Sequence, residues 1–169
     1  MIIIKDIAFN DKLKEVMEQL GKGAFLTVKV GEEVNTMTIG WGMVGLIWNK
    51  PIFQVLVRES RHTYDLLERS EDFTVSLPIG KNMKEALAFC GSTTGKNINK
   101  LEQSLVTTKN SKKVKTPIIG ECNLHFECRI LAKHKLVEDQ IGTDLGVLFY
   151  DNADYHTMYY GEIVACYET

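Results

Sequence analysis

Apolar and polar residues alternate with a period of two along much of this chain, and helical spacing occurs only in short stretches. Phe73, Val75 and Leu77 alternate with Thr74 and Ser76, which predicts a half-buried strand ended by Pro78. From Glu121 to Val137 the pattern predicts a long strand. Cys122, Leu124, Phe126, Cys128 and Ile130 fall on one face of it, with His125, Glu127 and Arg129 on the other. Ala24–Val30 and Val34–Ile39 flank a turn at Gly31-Glu32-Glu33, and Ile52–Val57 is a further strand. Leu46–Trp48 is short and apolar, broken by Asn49-Lys50-Pro51. Gly146–Tyr150, Tyr155–Tyr160 and Glu162–Tyr167 complete the strands, with Asp151–Asp154 as a hairpin loop.

Helices are fewer. Leu13, Val16, Met17 and Leu20 form an apolar stripe, with Asn10 as N-cap and Gly21 as a left-handed C-cap. Lys81–Cys90 carries Met83, Ala86, Leu87 and Cys90 on one side, and shorter helices are expected from Thr63 to Ser70 and near Ile98–Gln103. About seven strands joined by short turns predict a mainly β barrel or sandwich. A doubly wound parallel sheet would need a helix between most strands, and the C-terminal half lacks them.

Composition narrows the class. The 169 residues, 44% hydrophobic and 25% charged, suit a single globular domain spanning 1–169. A net charge of −2 argues against a nucleic-acid partner, and the basic run Lys109–Lys115 has no interleaved aromatics, so it reads as a solvated loop. The apolar run at the N-terminus is too short for a signal peptide, and no stretch approaches the roughly 18 apolar residues of a membrane span. A cytoplasmic protein with no membrane partner is expected. The four cysteines include no Cys-x-x-Cys pair, and Cys122, His125, Cys128 and His134 match no zinc spacing. Buried free thiols and no metal are expected.

Three segments carry candidate chemistry. Asn35-Thr36-Met37-Thr38-Ile39-Gly40-Trp41-Gly42 sets small polar residues and glycines beside a tryptophan. Such a segment lets a planar ligand approach the main chain; it also fits a bulged strand end. Arg58-Glu59-Ser60-Arg61-His62-Thr63 gathers two guanidinium groups and two hydroxyls where a helix starts. That set suits a phosphate, or equally a capped helix with solvated arginines. Cys90-Gly91-Ser92-Thr93-Thr94-Gly95-Lys96 invites comparison with the nucleotide-triphosphatase phosphate loop but fails it. Only three residues separate the glycines, and Asn97 follows the lysine. No Ser/His/Asp arrangement or dinucleotide fingerprint is visible.

In order and spacing, these segments resemble the flavin reductase-like family of FMN-binding split barrels, the group that includes flavoredoxin. The similar parts are Asn35-x-Met37-Thr38-Ile39-x-Trp41, Pro51–Val57 leading into Arg58-x-Ser60-Arg61-x-Thr63, Phe73–Pro78, and Cys90-Gly91-x-x-x-Gly95 with Lys100 after it. The resemblance implies a six-stranded antiparallel split barrel with short flanking helices, working as a homodimer with FMN near the subunit interface. It implies that Asn35, Met37, Thr38, Ile39, Gly40 and Trp41 face the ring and ribityl chain. Arg58, Ser60, His62 and Thr63 would hold the phosphate, helped by Ser92, Thr94 and Lys100. His62 stands where relatives carry an aromatic or other bulky residue, and the segment before Lys100 lacks the family's usual acidic residue.

The implied function is an NAD(P)H-dependent flavin reductase or related FMN oxidoreductase, passing electrons to a small-molecule or protein acceptor. Alternatives are a flavoredoxin-like carrier with no nicotinamide site, or a non-redox FMN-binding domain. No side-chain acid or base is needed for such chemistry, because the cofactor supplies it. His156 is a candidate for positioning nicotinamide beside Trp41.

Overall fold

The computed structural model describes residues 3–103 and 105–169. In chain order the elements are β1 (Lys5–Asp6), α1 (Leu13–Leu20), β2 (Ala24–Val30), β3 (Glu33–Ile39), β4 (Gly42–Ile47), β5 (Lys50–Arg58), α2 (His62–Leu67), β6 (Asp72–Leu77), α3 (Lys84–Ser92), α4 (Lys100–Gln103), β7 (Thr108–Lys109), β8 (Ile118–Ile119), β9 (Leu124–Lys135), α5 (Thr143–Phe149) and β10 (His156–Glu168). One antiparallel sheet runs β3-β2-β6-β9-β10-β5-β4, with β1 on the far end of β10. It coils into a split barrel with short flanking helices, carrying more strands than the six expected. Among the described residues, no helix is long and apolar enough to cross a membrane.

The alternating residues of β2, β5, β6 and β9 build the interior: Leu26, Val28, Phe53, Val55, Phe73, Val75, Phe126 and Cys128 are all fully buried there. The opposite face of β2 is also covered. Phe25 packs with Ala86, Leu87 and Cys90 of α3 and with Ile119 and Cys122 in a second cluster. All four thiols are free and buried. Cys122 lies in the turn before β9, not on it, so it and Cys128 sit in different clusters instead of sharing one strand face.

Several local expectations change. Trp48 and Asn49 both adopt positive φ, 54° and 56°, forming a two-residue hairpin that pairs Ile47 with Lys50. Pro51 therefore lies inside β5, opposite Leu46 and beyond the β10 ladder, which begins at Ile52. The two C-terminal strands merge into β10, with a register shift at Tyr160/Gly161. A Cβ on Gly161 would lie 2.5 Å from Phe73 Cζ, so only glycine lets the bulge close onto the core. Gly146–Tyr150 is not a strand: residues up to Phe149 form α5, and Asp151–Asp154 joins a helix to a strand, with Ala153 at φ 57°. At α1, Lys12 precedes the helix without a side-chain cap, and Gly21 is right-handed at φ −62°. The left-handed position falls at Gly23, φ 120°.

The basic 109–115 segment keeps its lysine side chains largely in solvent, but its backbone is pinned. Glu127 of β9, fully buried, accepts the N–H groups of Lys112 and Lys113 at 2.6 Å, Val114 at 3.3 Å and the Tyr167 hydroxyl at 2.6 Å. Asp72 of β6 accepts the next two N–H groups, of Lys115 and Thr116, both at 3.1 Å. Two strand carboxylates thus satisfy the backbone donors of a loop that no sheet or helix could serve.

Candidate functional site

β3 and β4 are the two open ends of the sheet, and the site lies along β3, facing the end of β5 and the start of β10. Its first chamber, a cavity of about 320 Å³, is enclosed by Asn35 and Met37 of β3, the Arg58–Thr63 turn into α2, Ser92–Gly95 after α3, Lys100 of α4, and Asp154. A second chamber of about 230 Å³ continues from it along Thr38–Trp41, Leu56 and His156. Met37, Arg58 and Arg61 line both. An edge strand such as β3 offers unpaired main-chain groups to a ligand lying along it.

Each residue that the resemblance assigns to the cofactor, and His156, lines one chamber or the other: Asn35, Met37, Arg58, Ser60, His62, Thr63, Ser92, Thr94 and Lys100 the first, and Met37, Thr38, Ile39, Gly40, Trp41, Arg58 and His156 the second. Lining does not make each side chain a free donor. Asn35 and Thr63 are buried and bonded to each other at 2.9 Å. Thr38 donates to the Leu87 carbonyl at 2.6 Å and Ser92 to that of Ala88 at 2.8 Å. The buried Lys100 ammonium donates to the carbonyls of Cys90, 2.8 Å, and Thr36, 3.2 Å. Burial is the main reason its pKa lies below the usual lysine value.

His62 Nε2 bonds Glu33 at 2.7 Å, while its buried Nδ1 has no protein partner. Arg61 reaches the Gly91 carbonyl at 2.9 Å and keeps further N–H groups for the chambers. Arg58 spans from one Nη to the Phe149 carbonyl, 3.0 Å, and from the other to the Asp154 carbonyl, and its guanidinium lies 5.1 Å from the Tyr150 ring centre. Ser60 donates both its N–H, 3.3 Å, and its hydroxyl, 2.6 Å, to the Asp154 carboxylate. A Cβ on Gly95 would lie 2.3 Å from Asn35 Oδ1, so the wall there closes only around glycine.

In the second chamber the Trp41 ring lies 5.2 Å from His156 and 5.1 Å, edge-on, from Phe149. His156 bonds the Tyr150 hydroxyl through Nδ1 at 2.7 Å. Burial, reinforced by Arg58, pushes the His156 pKa down to about 4, so it is neutral at physiological pH. Asp154 and Tyr150 were not foreseen as site residues. Asp154 meets Ser60, and Tyr150 meets Arg58, across more than 90 positions, a placement that no local pattern signals.

A chamber rich in cationic and hydroxyl donors fits a phosphate, and the adjoining chamber with Trp41, Ile39 and Leu56 fits a flat apolar ring. Set in an antiparallel split barrel, this arrangement places the chain in the flavin reductase-like class of split-barrel proteins. Residues 21–169 match the family described as "Flavin reductase like domain", and the chain belongs to that family.

An uncharacterized protein of Archaeoglobus fulgidus is 34% identical over 107 residues, covering 63% of this chain and 59% of its own. A Pyrococcus abyssi protein is 26% identical over 80% of this chain and 66% of its own, so this chain spans under two thirds of both relatives. Flavoredoxin from Methanosarcina acetivorans superposes with a TM-score of 0.65 at 25% identity, over 87% of this chain and 68% of that one. An FMN-binding domain of a flavin reductases-like enzyme from Shewanella baltica OS155 has the same fold, with a TM-score of 0.69 at 15% identity over 98% of this chain and 77% of that one.

Proposed function

We propose that the protein binds FMN across the two chambers and moves electrons from NADH or NADPH to an acceptor. The joined cavity, phosphate donors at one end and aromatic walls at the other, is the observation that carries this reading. Bound FMN supplies the redox centre. The chain supplies phosphate capture by Arg61, Arg58 and the Ser60 turn, while Met37–Trp41 orient the ring along the β3 edge. Trp41 and neutral His156, which line the second chamber, would border a nicotinamide brought to the flavin. Micromolar binding needs about −8 kcal/mol, within reach of a few charge-assisted bonds of roughly 1.5–3 kcal/mol each plus ring burial.

Anaerobic mixing with NADH or NADPH tests the donor. Bleaching of the flavin absorbance at millimolar nicotinamide or below supports a reductase, millimolar being the upper range of usual KM values. Flavin that only dithionite reduces supports the carrier reading, which the likeness to flavoredoxin favours.

The working unit in this reading is a homodimer. Met43, Leu46 and Trp48 on the β4–β5 hairpin and Leu145, Val147 and Leu148 on α5 are exposed apolar side chains, the kind of surface a second copy covers. Light scattering at micromolar concentration with FMN present should give the dimer mass.

A further inference from the structure

We propose that Asp154 is a built-in competitor for the flavin phosphate, held on the donors that the phosphate needs and displaced when FMN binds. The inference rests on the FMN reading above.

Its carboxylate lines the phosphate chamber and takes both donors of Ser60, the N–H and the hydroxyl. Arg58, whose fork suits a phosphate, is turned to the carbonyls of Phe149 and Asp154. One strap, the chain from Phe149 to Asp154, therefore occupies the two side chains best suited to the ligand. A phosphomonoester brings a charge of about −1.5 to −2. It cannot share the Ser60 donors with a carboxylate, so the acid must leave.

Tyr150 is the buried anchor of the strap, and the chain on either side of it is loosely held: α5 has no buried residue, and Asp151 and Asn152 are exposed. Among the described residues, the hydrogen bonds tying 143–154 to the body come from Arg58, from Ser60 and from the Tyr150–His156 pair. The carboxylate holds the Ser60 donors that the phosphate needs and makes FMN an exchanging ligand; displacing the strap frees α5 from Arg58.

The experiment is a fluorescence titration of wild type, Asp154→Asn and Asp154→Ala with FMN and with riboflavin, which lacks the phosphate. Both variants should bind FMN at least about tenfold more tightly, the loss of one opposing charged contact, and riboflavin unchanged. Hydrogen exchange of 143–155 in wild type should rise on adding FMN and not on adding riboflavin. Inorganic phosphate alone should raise it at higher concentration. If FMN binds but the variants do not tighten it, or if exchange does not rise, the competitor is refuted while the FMN reading stands. If neither flavin binds any of the three proteins, the FMN reading fails and takes this proposal with it.

Discussion

Two loops are strapped to the barrel by charged side chains, and they differ in what surrounds the charge. On one side, buried Glu127 and Asp72 gather five backbone N–H groups of residues 112–116. On the other, Arg58 and Ser60 gather two carbonyls and a carboxylate of the strap ending at Asp154, at the rim of an open chamber. Both use charge-assisted bonds across the fold. At the first the accepting carboxylates are buried, so removing one leaves its backbone donors with little access to a replacement partner. Behind the second a cavity stands ready, so another anion can take over the same donors. Burial, more than bond number, separates a structural anchor from an exchangeable one.

The largest expected effect lies at the buried anchor. Glu127→Ala orphans three N–H groups and the Tyr167 hydroxyl, and should cost about 3–5 kcal/mol in urea unfolding, at roughly 1–3 kcal/mol for each buried donor left unpaired and partly relaxed. FMN affinity of the folded fraction should not change. A loss under about 1 kcal/mol would mean water reaches the donors, and the contrast between the two loops would collapse.

Acid should act next. His125 is fully buried, with Nδ1 3.0 Å from Ser76 Oγ and Nε2 3.2 Å from Thr169 Oγ1. Burial pushes its pKa down to about 4, and that of His156 likewise to about 4. Both fold neutral, while the unfolded chain takes up protons below about 6.5. The unfolded state then binds more protons, so stability is complete above pH 6.5 and falls as pH drops toward 4, by up to about 3 kcal/mol per histidine. Urea midpoints at pH 7 and pH 5 check this. His125→Gln should flatten the slope, and an unchanged slope would assign it to other groups.

The parts legible beforehand were those where burial enforces a period. β2, β6 and most of β5 and β9 read directly because one face or both had to be apolar. α5 misled because its apolar residues are exposed, so nothing in Leu145–Phe149 obeys a packing rule. The merger of the last two strands depended on Gly161 fitting against Phe73 across the barrel, a contact without local trace. The candidate site residues were singled out by motif order, and they line the two adjoining chambers. Which of their donors are already engaged was hidden, because Lys100, Thr38 and Arg58 find their partners across the fold. The pinning of 112–116 by Glu127 and Asp72 was hidden for the same reason.

At the exchangeable strap, Arg58→Ala should weaken FMN by about 1.5–3 kcal/mol, the worth of a charged hydrogen bond, with the fold intact. Riboflavin should be nearly unaffected. Equal losses for the two flavins would show that Arg58 serves only to hold α5 and the strap, and that phosphate recognition belongs to Arg61.

The smallest effect is expected at Ser60→Ala, and its smallness is the point. The change removes the hydroxyl that holds the Asp154 carboxylate at 2.6 Å and, by the same stroke, one donor available to the phosphate. Strap and ligand lose about equally, so FMN affinity should move by less than about threefold, within 0.7 kcal/mol of a balance between two similar bonds. Exchange of 143–155 without flavin should nonetheless quicken, because the strap is looser whatever the ligand does. Tyr167→Phe is the matching cut at the buried anchor, again one hydroxyl on one carboxylate. There no second ligand shares the loss, so it should appear in full as about 1.5–3 kcal/mol of stability. If Ser60→Ala instead weakens FMN tenfold or more, the serine serves the phosphate far more than the strap, and the two anions do not compete for it on equal terms.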